Sequence, residues 1–389
     1  MGETGMTNRN FTVAGLLLWC AVGQSIAAER PAPLAAEQIG VAKLGAPTPH
    51  WLFVGDSNFL GYLDSKVYLF DGDTGAMLGM LSTGAWGNAV ELAPDFSAIY
   101  VPEMYYSRGT RGERTEVVTT YDTTDLAPKS EVIIPPKRAT GVPHRAYQGI
   151  TDDGRFVLVD NMTPATSVSV VDVAAQRFVA EIEIAGCNLV YPTGARSFAS
   201  LCGDGTLQQV VLDEQGNLKA RDRSAKFFDP ENDPVTEKAS RYGATWLFIS
   251  FDGYVHPVEF TGGKIVAGKR WSLFSDAERK ANWKIGGGQF NAVHEQTGRL
   301  YVIVHQGGPY GHKDPGKDVW VYDIATHKGI AQFPLVGPAS SIGVTKDAAP
   351  LLVTVDPAMP GAIVYDALTG AHQRTIEGLP FTPAFIQSP

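Results

Sequence analysis

The residues that could carry chemistry are few, and they are scattered along the chain. The eight histidines stand at positions 50, 144, 256, 294, 305, 312, 327 and 372. None belongs to a His-Glu-x-x-His motif, and the chain has no Cys-x-x-Cys pair, so the sequence predicts no zinc site. A Gly-x-Ser-x-Gly nucleophile motif is also missing. The segment Asp71-Gly-Asp73-Thr-Gly75 is similar to the start of a calcium loop, but Ser82 occupies the twelfth position, where such loops carry a bidentate glutamate. We therefore predict neither a metal site nor a catalytic residue on this chain.

The first 28 residues have the layout of a secretory signal peptide. Arg9 precedes an apolar stretch at residues 11–22, and small residues follow at 25–28. A stretch of this length is too short to cross a bilayer core of about 30 Å, and no later stretch approaches the roughly 18 apolar residues that a span requires. We expect a periplasmic chain without a membrane span, cleaved after Ala27 or Ala28 and beginning with an N-terminal extension at residues 29–44.

Export bears on the state of the cysteines. Removal of the signal peptide takes away Cys20 and leaves Cys187 and Cys202. Two cysteines in an oxidising compartment usually pair. Residues 187–191 and 197–202 are predicted strands, and the turn between them is centred midway between the cysteines. In an antiparallel hairpin the two residues face each other across the ladder. We therefore predict a structural disulfide, with two free buried thiols as the alternative.

One pattern recurs seven times and organises the rest of the chain. It consists of an apolar strand ending in aspartate, a short polar turn and a second strand, and its copies begin at residues 67, 118, 168, 209, 256, 319 and 362. The fifth copy has Thr261 in place of the aspartate. The mean spacing of about 49 residues is typical of propeller blades. We predict an all-β fold, a single seven-bladed propeller of four-stranded blades over residues 45–389, whose C-terminal strand at 383–387 completes the first blade.

Three inserts interrupt this repeat. Residues 103–116 read as a long aromatic and arginine-rich loop, residues 227–242 are acidic and polar, and residues 275–283 begin with a capping box that predicts a short helix. Loops on a rigid scaffold often carry function. The net charge of −9, from 32 basic and 41 acidic residues, argues against a nucleic-acid partner.

Several segments together resemble the heavy subunits of quinoprotein amine dehydrogenases. They include the run from Arg111 to Thr115, the Cys187 and Cys202 pair around a Pro-Thr turn, and the segment from Glu278 to His294. The chain is similar to methylamine dehydrogenase heavy subunits, and more closely to those of aromatic amine (aralkylamine) dehydrogenases, over essentially all of its mature length.

The resemblance implies a complete functional assembly. The heavy subunit is expected to form an α2β2 heterotetramer with a small, disulfide-rich light subunit, which bears tryptophan tryptophylquinone. No cofactor is then expected on this chain. Primary arylalkyl amines are oxidised to aldehyde and ammonia in such an assembly, and the electrons pass to a blue-copper protein such as azurin or amicyanin.

The resemblance also suggests site residues. Phe59, with Leu60 as its rival, matches a heavy-chain phenylalanine that gates the substrate channel. Tyr105, Tyr106, Arg111 and Arg114 have the composition favoured at interface hot spots, and we assign them to the light-subunit interface. Two alternatives remain open at this point: a self-sufficient periplasmic propeller enzyme, such as a lactonase or a pyrroloquinoline-quinone enzyme, and a stand-alone binding propeller.

Overall fold

The computed structural model describes residues 40–58, 61, 63–87, 89–138, 144–378 and 382–389. The predicted signal peptide and nearly all of the predicted N-terminal extension lie outside these residues. Residues Ala42–Pro389 belong to one compact unit. Its described part contains one α-helix, α1 (Asp276–Lys280), and short 3-10 turns at Arg145–Tyr147, Glu295–Thr297 and Gly311–Lys313.

Thirty strands lie in the described part of the chain. The first fifteen are β1 (Trp51–Asp56), β2 (Lys66–Asp71), β3 (Met77–Ser82), β4 (Glu91–Leu92), β5 (Ala98–Tyr106), β6 (Arg114–Asp122), β7 (Pro128–Ile134), β8 (Gln148–Ile150), β9 (Phe156–Asn161), β10 (Ser167–Asp172), β11 (Arg177–Glu183), β12 (Cys187–Gly194), β13 (Ser197–Cys202), β14 (Leu207–Leu212) and β15 (Leu218–Arg223). The second fifteen are β16 (Ser240–Tyr242), β17 (Thr245–Ile249), β18 (Tyr254–Thr261), β19 (Lys264–Ala267), β20 (Trp271–Ser272), β21 (Trp283–Ile285), β22 (Asn291–His294), β23 (Arg299–Gln306), β24 (Gly316–Asp323), β25 (Lys328–Ala339), β26 (Ser341–Val344), β27 (Leu351–Asp356), β28 (Met359–Asp366), β29 (His372–Glu377) and β30 (Pro383–Gln387).

These strands form seven antiparallel blades arranged in a ring, so the predicted fold class is confirmed. From the inside outwards the blades are β30-β1-β2-β3, β4-β5-β6-β7, β8-β9-β10-β11, β12-β13-β14-β15, β16-β17-β18-β19, β22-β23-β24-β25 and β26-β27-β28-β29. Two short strands are additional, β20 beside β18 and β21 beside β23. All seven copies of the sequence pattern form the third strand of a blade.

The ring closes as the sequence predicts, because the C-terminal strand β30 pairs with β1 and becomes the innermost strand of the first blade. Side-chain amides reinforce this closure. The amide of Gln387 accepts a hydrogen bond from the Val90 N–H at 3.1 Å and donates one to the Val90 carbonyl at 2.8 Å, which ties the first blade to the second. The amide of Gln289 donates to the carbonyls of Ile342 and Ile386.

The apolar pattern of the strands follows from the stacking of blades. Strands β1, β9, β10 and β27 are buried at every position, because neighbouring blades cover both of their faces. The outermost strand β15, with the sequence Leu-Lys-Ala-Arg-Asp-Arg, is exposed at every position. Burial therefore decreases from the second and third strands of a blade towards its outer edge.

The aspartate at the end of every third strand except the fifth has the local role that its turn suggests. The Oδ1 atom of Asp71 accepts hydrogen bonds from the N–H groups of Asp73 and Thr74. Asp366 does the same for the N–H groups of Leu368 and Thr369. Each of these carboxylates closes a tight turn within one blade.

Two predicted inserts differ from their sequence-based description. Residues 103–116 are not a loop, since β5 continues to Tyr106 and β6 begins at Arg114, which leaves only residues 107–113 as a turn. The β-forming residues on both sides of that turn extend the ladder. The predicted helix at 275–283 forms with its capping box between Ser275 and Glu278, but it ends at Lys280. Asn282 has a positive φ of 61°, and the following residue already begins β21.

The two faces of the ring differ in the length of their connections. Because neighbouring strands in a blade are antiparallel, the short aspartate turns and the turns that follow each innermost strand lie on one face. The connections between second and third strands, and those from one blade to the next, lie on the opposite face, which we call the insert face. Among the described residues, the insert face carries 57–58, 63–65, 107–113, 224–239, 273–282 and 307–315.

Candidate functional site

The innermost strands of all seven blades line one cavity of 740 Å³, which is the central channel of the propeller. Each blade contributes at least one residue to its wall: Leu92, Ile150, Tyr191, Ser240, Asn291, Val344 and Ile386. The chain therefore builds this cavity from seven segments that are distant in sequence.

Charged side chains of both signs face this channel: Glu91, Arg145, Asp152, Glu237, Lys238, Arg241, Glu295 and Lys346. Four of these side chains form two ion pairs, and the two charges within each pair neutralise each other. The guanidinium of Arg241 donates to both carboxylate oxygens of Asp152, at 2.6 and 2.7 Å. The Lys238 ammonium lies 3.0 Å from Oε1 of Glu237.

His144 and Glu237 lie where the channel opens towards the insert face. The Nδ1 atom of His144 accepts a hydrogen bond from the Ala146 N–H at 2.9 Å, and its Nε2 atom lies 3.8 Å from Oε1 of Glu237. Burial lowers the pKa of His144 to about 4, although Glu237 acts in the opposite direction, so the imidazole is neutral at pH 7. Burial acts to raise the pKa of Glu237, but the Lys238 charge, the nearby His144 and hydrogen bonds together hold this pKa below its usual value.

Glu91 is the channel carboxyl that titrates near neutral pH. Burial raises its pKa to about 7, while the charge of Arg145 and a hydrogen bond with Gln148 oppose this increase. Arg145 and Lys346 have lowered pKa values, in both cases mainly because of burial. The channel therefore combines two ion pairs with a carboxyl of raised pKa, Glu91, and two exposed cations, Arg145 and Lys346.

The chemistry that this arrangement offers is binding by charge and hydrogen bonding. Within the described ranges, no three His, Cys, Asp or Glu side chains come together in a way that could hold a metal ion. The described residues also contain no helix long and apolar enough to cross a membrane.

The four residues predicted at the light-subunit interface come together on one β-hairpin at the insert face, formed by β5, residues 107–113 and β6. Tyr105 is 40% exposed, and Arg111 is exposed in the turn. Tyr106 pairs with Arg114 in the ladder. The Arg114 guanidinium donates to Glu116 and to the carbonyl of Arg138, so this side chain is already engaged within the chain.

The base of this hairpin is rigid. Glu103 is completely buried, and its carboxylate accepts hydrogen bonds from the hydroxyl groups of Thr119 and Tyr121. Burial raises the pKa of Glu103, against the effect of these hydrogen bonds. A fixed base therefore carries an exposed tip.

The predicted channel residues Phe59 and Leu60 lie outside the described residues. The end of β1 just before them is well anchored, because Oδ1 of Asp56 accepts from the Asn58 N–H and from the Thr382 hydroxyl, both at 2.8 Å. Strand β1 ends with Asp56 at the insert face.

The predicted disulfide is confirmed. Cys187 and Cys202 are bonded, and they stand directly opposite each other at the ends of β12 and β13. Both residues are buried. Strand β12 extends to Gly194, so the turn between the strands is shorter than predicted.

Sequence reasoning did not single out Glu91, Arg145 or Lys346 as channel residues. Each lies in an innermost strand or within three residues of one, which is the signal that could have found them. That signal becomes available only when the innermost strand of every blade has been assigned, and β4 is just two residues long.

Comparisons with known proteins agree with this architecture. The family model "Methylamine dehydrogenase heavy chain (MADH)" matches residues 51–388. The methylamine dehydrogenase heavy chain of Methylobacillus flagellatus is 30% identical over 325 residues, which cover 83% of this chain and 80% of the relative. That of Methylorubrum extorquens is 26% identical over 391 residues, which cover 96% and 94%.

Solved structures show the same fold at low sequence identity. A functionally unknown protein from Desulfotomaculum acetoxidans superposes with a TM-score of 0.57 at 14% identity, covering 87% of this chain and 98% of that one. Dihydro-heme d1 dehydrogenase NirN superposes with a TM-score of 0.51 at 17% identity, covering 90% and 77%. At these identities the similarity concerns the fold alone.

Proposed function

This chain belongs to the methylamine dehydrogenase heavy-chain family, and on that premise we propose that it is the heavy subunit of a periplasmic aromatic amine dehydrogenase. The observation that carries the heavy-subunit assignment is the match of the family model to residues 51–388, which include all seven blades. The preference for aromatic amines rests on the sequence resemblance, and the periplasmic location rests on the predicted signal peptide. The proposed reaction converts a primary arylalkyl amine and water to an aldehyde and ammonia, and it releases two electrons and two protons.

The proposed division of labour places the redox chemistry on a separate light subunit. Tryptophan tryptophylquinone on that subunit supplies the electron acceptor, and a blue-copper protein such as azurin takes the electrons onward. We assign no cofactor and no catalytic residue to this chain. Its own contribution is a rigid ring with an insert face that the light subunit contacts, in an α2β2 assembly.

The hairpin of β5 and β6 is the contact that we propose for the light subunit. Its tip presents an aromatic side chain, Tyr105, and an arginine, Arg111, of the types that dominate interface energies. The buried Glu103 network fixes its base, so little conformational entropy is lost when a partner binds the tip. Strand β1 ends at the same face with Asp56, three residues before Phe59, which supports the proposed place of Phe59 beside the substrate channel.

Co-purification tests this proposal. We expect the tagged heavy chain, co-expressed with a light-subunit gene, to retain a small disulfide-rich subunit that shows quinone absorbance. Tyr105→Ala combined with Arg111→Ala should weaken this association by about 30-fold or more, the usual effect of losing a hot spot. Lys219→Ala, on the exposed outer strand β15, is the matched control and should leave the association unchanged.

The two levels of the proposal fail in different ways. If the double variant binds the light subunit as tightly as the native chain, the hairpin is not the interface. If no small subunit and no quinone absorbance accompany the native chain, the assignment as a heavy subunit is wrong. Amine-dependent dye reduction by the heavy chain alone would instead favour a self-sufficient propeller enzyme.

A further inference from the structure

Among the residues that the structure describes, four cationic side chains line the central channel, and two of them form an ion pair with an acidic side chain. Arg241 is held by Asp152, and Lys238 by Glu237. Arg145 and Lys346 make no side-chain hydrogen bond or ion pair with any residue that the structure describes. Both are nevertheless exposed to the channel. Two cationic side chains without partners on the wall of one cavity leave their N–H donors free to bind a ligand.

The backbone that carries Arg145 is fixed. It lies in the 3-10 turn Arg145–Tyr147, which is capped at its start by the side chain of His144. At its end the Gln148 N–H donates to the carbonyl of Arg145. The Gln148 side chain also donates to the carbonyl of Ala89, which ties this turn to the second blade.

The backbone that carries Lys346 is fixed as well. Its carbonyl accepts a hydrogen bond from the Gln296 side chain at 2.7 Å. On either side, the Thr345 hydroxyl donates to Asp347, and the His294 ring contacts the carbonyl of Asp347 at 2.8 Å. The two cations are therefore presented to the channel from rigid turns on different blades.

The electrostatics of the channel favour an added negative charge near these two residues. Burial lowers the pKa of Lys346, and repulsion from Arg145 lowers it further. Glu91 attracts both cations, but burial raises the pKa of Glu91 to about 7, so much of its charge is lost at neutral pH. Glu295 and Glu91 both attract Lys346 and oppose its repulsion by Arg145, and the part supplied by Glu91 is lost when Glu91 is protonated.

We propose that the central channel is an anion-binding site, in which Arg145 and Lys346 together hold a small oxyanion. The planar guanidinium offers two parallel N–H donors to a carboxylate, sulfate or phosphate group, and the ammonium adds a point charge. A channel of 740 Å³ has room for such an ion together with water. This inference concerns the chain itself and does not rest on its role in amine oxidation.

The site has a predictable pH dependence. The other titratable and charged groups that face the channel are Asp152, Glu237, Lys238, Arg241, Glu295 and His144. Burial keeps His144 neutral above about pH 5, since its pKa is about 4. Protonation of Glu91, whose pKa is about 7, removes a competing negative charge as the pH falls, so the oxyanion binds more tightly at pH 6 than at pH 8.

Isothermal titration calorimetry with sulfate tests the site on the intact mature chain, at constant ionic strength. Sulfate is the main probe because its charge does not change between pH 6 and 8. We expect one saturable site per chain, with Arg145→Gln and Lys346→Gln each weakening binding by about tenfold or more. Lys219→Gln removes one positive charge from the exposed outer strand β15 and should leave the affinity unchanged. Glu91→Gln should bind at pH 8 as tightly as the native chain does at pH 6.

Several outcomes would overturn the proposal. They are the absence of a saturable sulfate site in the native chain, an equal loss of affinity in Lys219→Gln, and unchanged affinity in Lys346→Gln. Acetate and malonate test whether carboxylates bind at the sulfate site. If either one competes with sulfate, the two classes of anion share the site, and the relative affinities show which class binds more tightly. A carboxylate that binds without displacing sulfate contradicts the shared site. If Arg145→Gln does not fold, Lys346→Gln, on an exposed turn, decides the test by itself.

Discussion

Gln387 offers a direct test of how the ring is closed. Its side-chain amide makes two hydrogen bonds with the backbone of Val90, one in each direction, and so links the first blade to the second where β4 is very short. Val90 is completely buried. Gln387→Ala therefore leaves a buried N–H and a buried carbonyl without partners, while the strand β30 stays in place.

The expected loss of stability follows from these two groups. Each unsatisfied buried backbone group costs about 1–3 kcal/mol, which gives about 2–6 kcal/mol for the pair. Gln387 lines the channel, so water can enter the vacated space and replace part of the lost bonding. We therefore expect Gln387→Ala to lower the free energy of unfolding by about 2 kcal/mol, at the lower end of that range.

Urea unfolding followed by tryptophan fluorescence measures this change, with the shift in midpoint converted through the slope of the transition. Gln373→Ala is the matched control, because Gln373 is exposed on the outer strand β29, where surface substitutions change stability by about 0.5 kcal/mol or less. If Gln387→Ala is no less stable than Gln373→Ala, the amide does not hold the first and second blades together.

The remaining predictions concern the disulfide, the channel and the amine. Replacing Cys187 and Cys202 by serine opens a loop of 15 residues and should lower the free energy of unfolding by about 3 kcal/mol, and an unchanged urea midpoint under oxidising conditions would contradict this. Burial raises the pKa of Glu91 to about 7 from about 4.3 in the unfolded chain, so the folded chain binds more protons between these values and loses stability as the pH rises through them. Glu91→Gln should remove this loss, and a stability difference from the native chain that stays constant from about pH 5 to pH 8 would contradict it. In the assembled enzyme, Phe59→Ala should shift the preference between aromatic and small aliphatic amines, measured as kcat/KM, by about 1–3 kcal/mol, and it should leave the quinone spectrum unchanged. Unchanged kcat/KM values for every amine would show that Phe59 does not line the substrate channel.

The repeating part of the fold could be predicted because its signals are local. Each third strand ends in an aspartate or threonine turn whose geometry depends on only a few neighbouring residues, such as Asp71 and the N–H groups that it caps. The disulfide was predictable for the same reason, since Cys187 and Cys202 flank one hairpin symmetrically. The closing strand β30 was identified because it had no other partner in the repeat.

The channel could not be predicted in the same way, because its wall is assembled from seven separate segments. Glu91 and Lys346 are about 250 residues apart in the chain, yet they line the same cavity. The hairpin at residues 103–116 was mistaken for a loop because its polar and charged residues hide the continuing ladder between Tyr106 and Arg114. The charged residues of that ladder bind one another, since the Arg114 guanidinium donates a hydrogen bond to the carboxylate of Glu116.

The central claim is that this chain works as the heavy subunit of an amine dehydrogenase and needs a light subunit for activity. Amine-dependent reduction of a redox dye, measured for the heavy chain alone, the light subunit alone and the two combined, tests it most directly. We predict no amine-dependent reduction by the heavy chain alone and rapid reduction by the purified complex, with an arylalkyl amine as the better substrate. Amine-dependent reduction by the heavy chain alone, or an inactive complex that contains the quinone, would contradict the account.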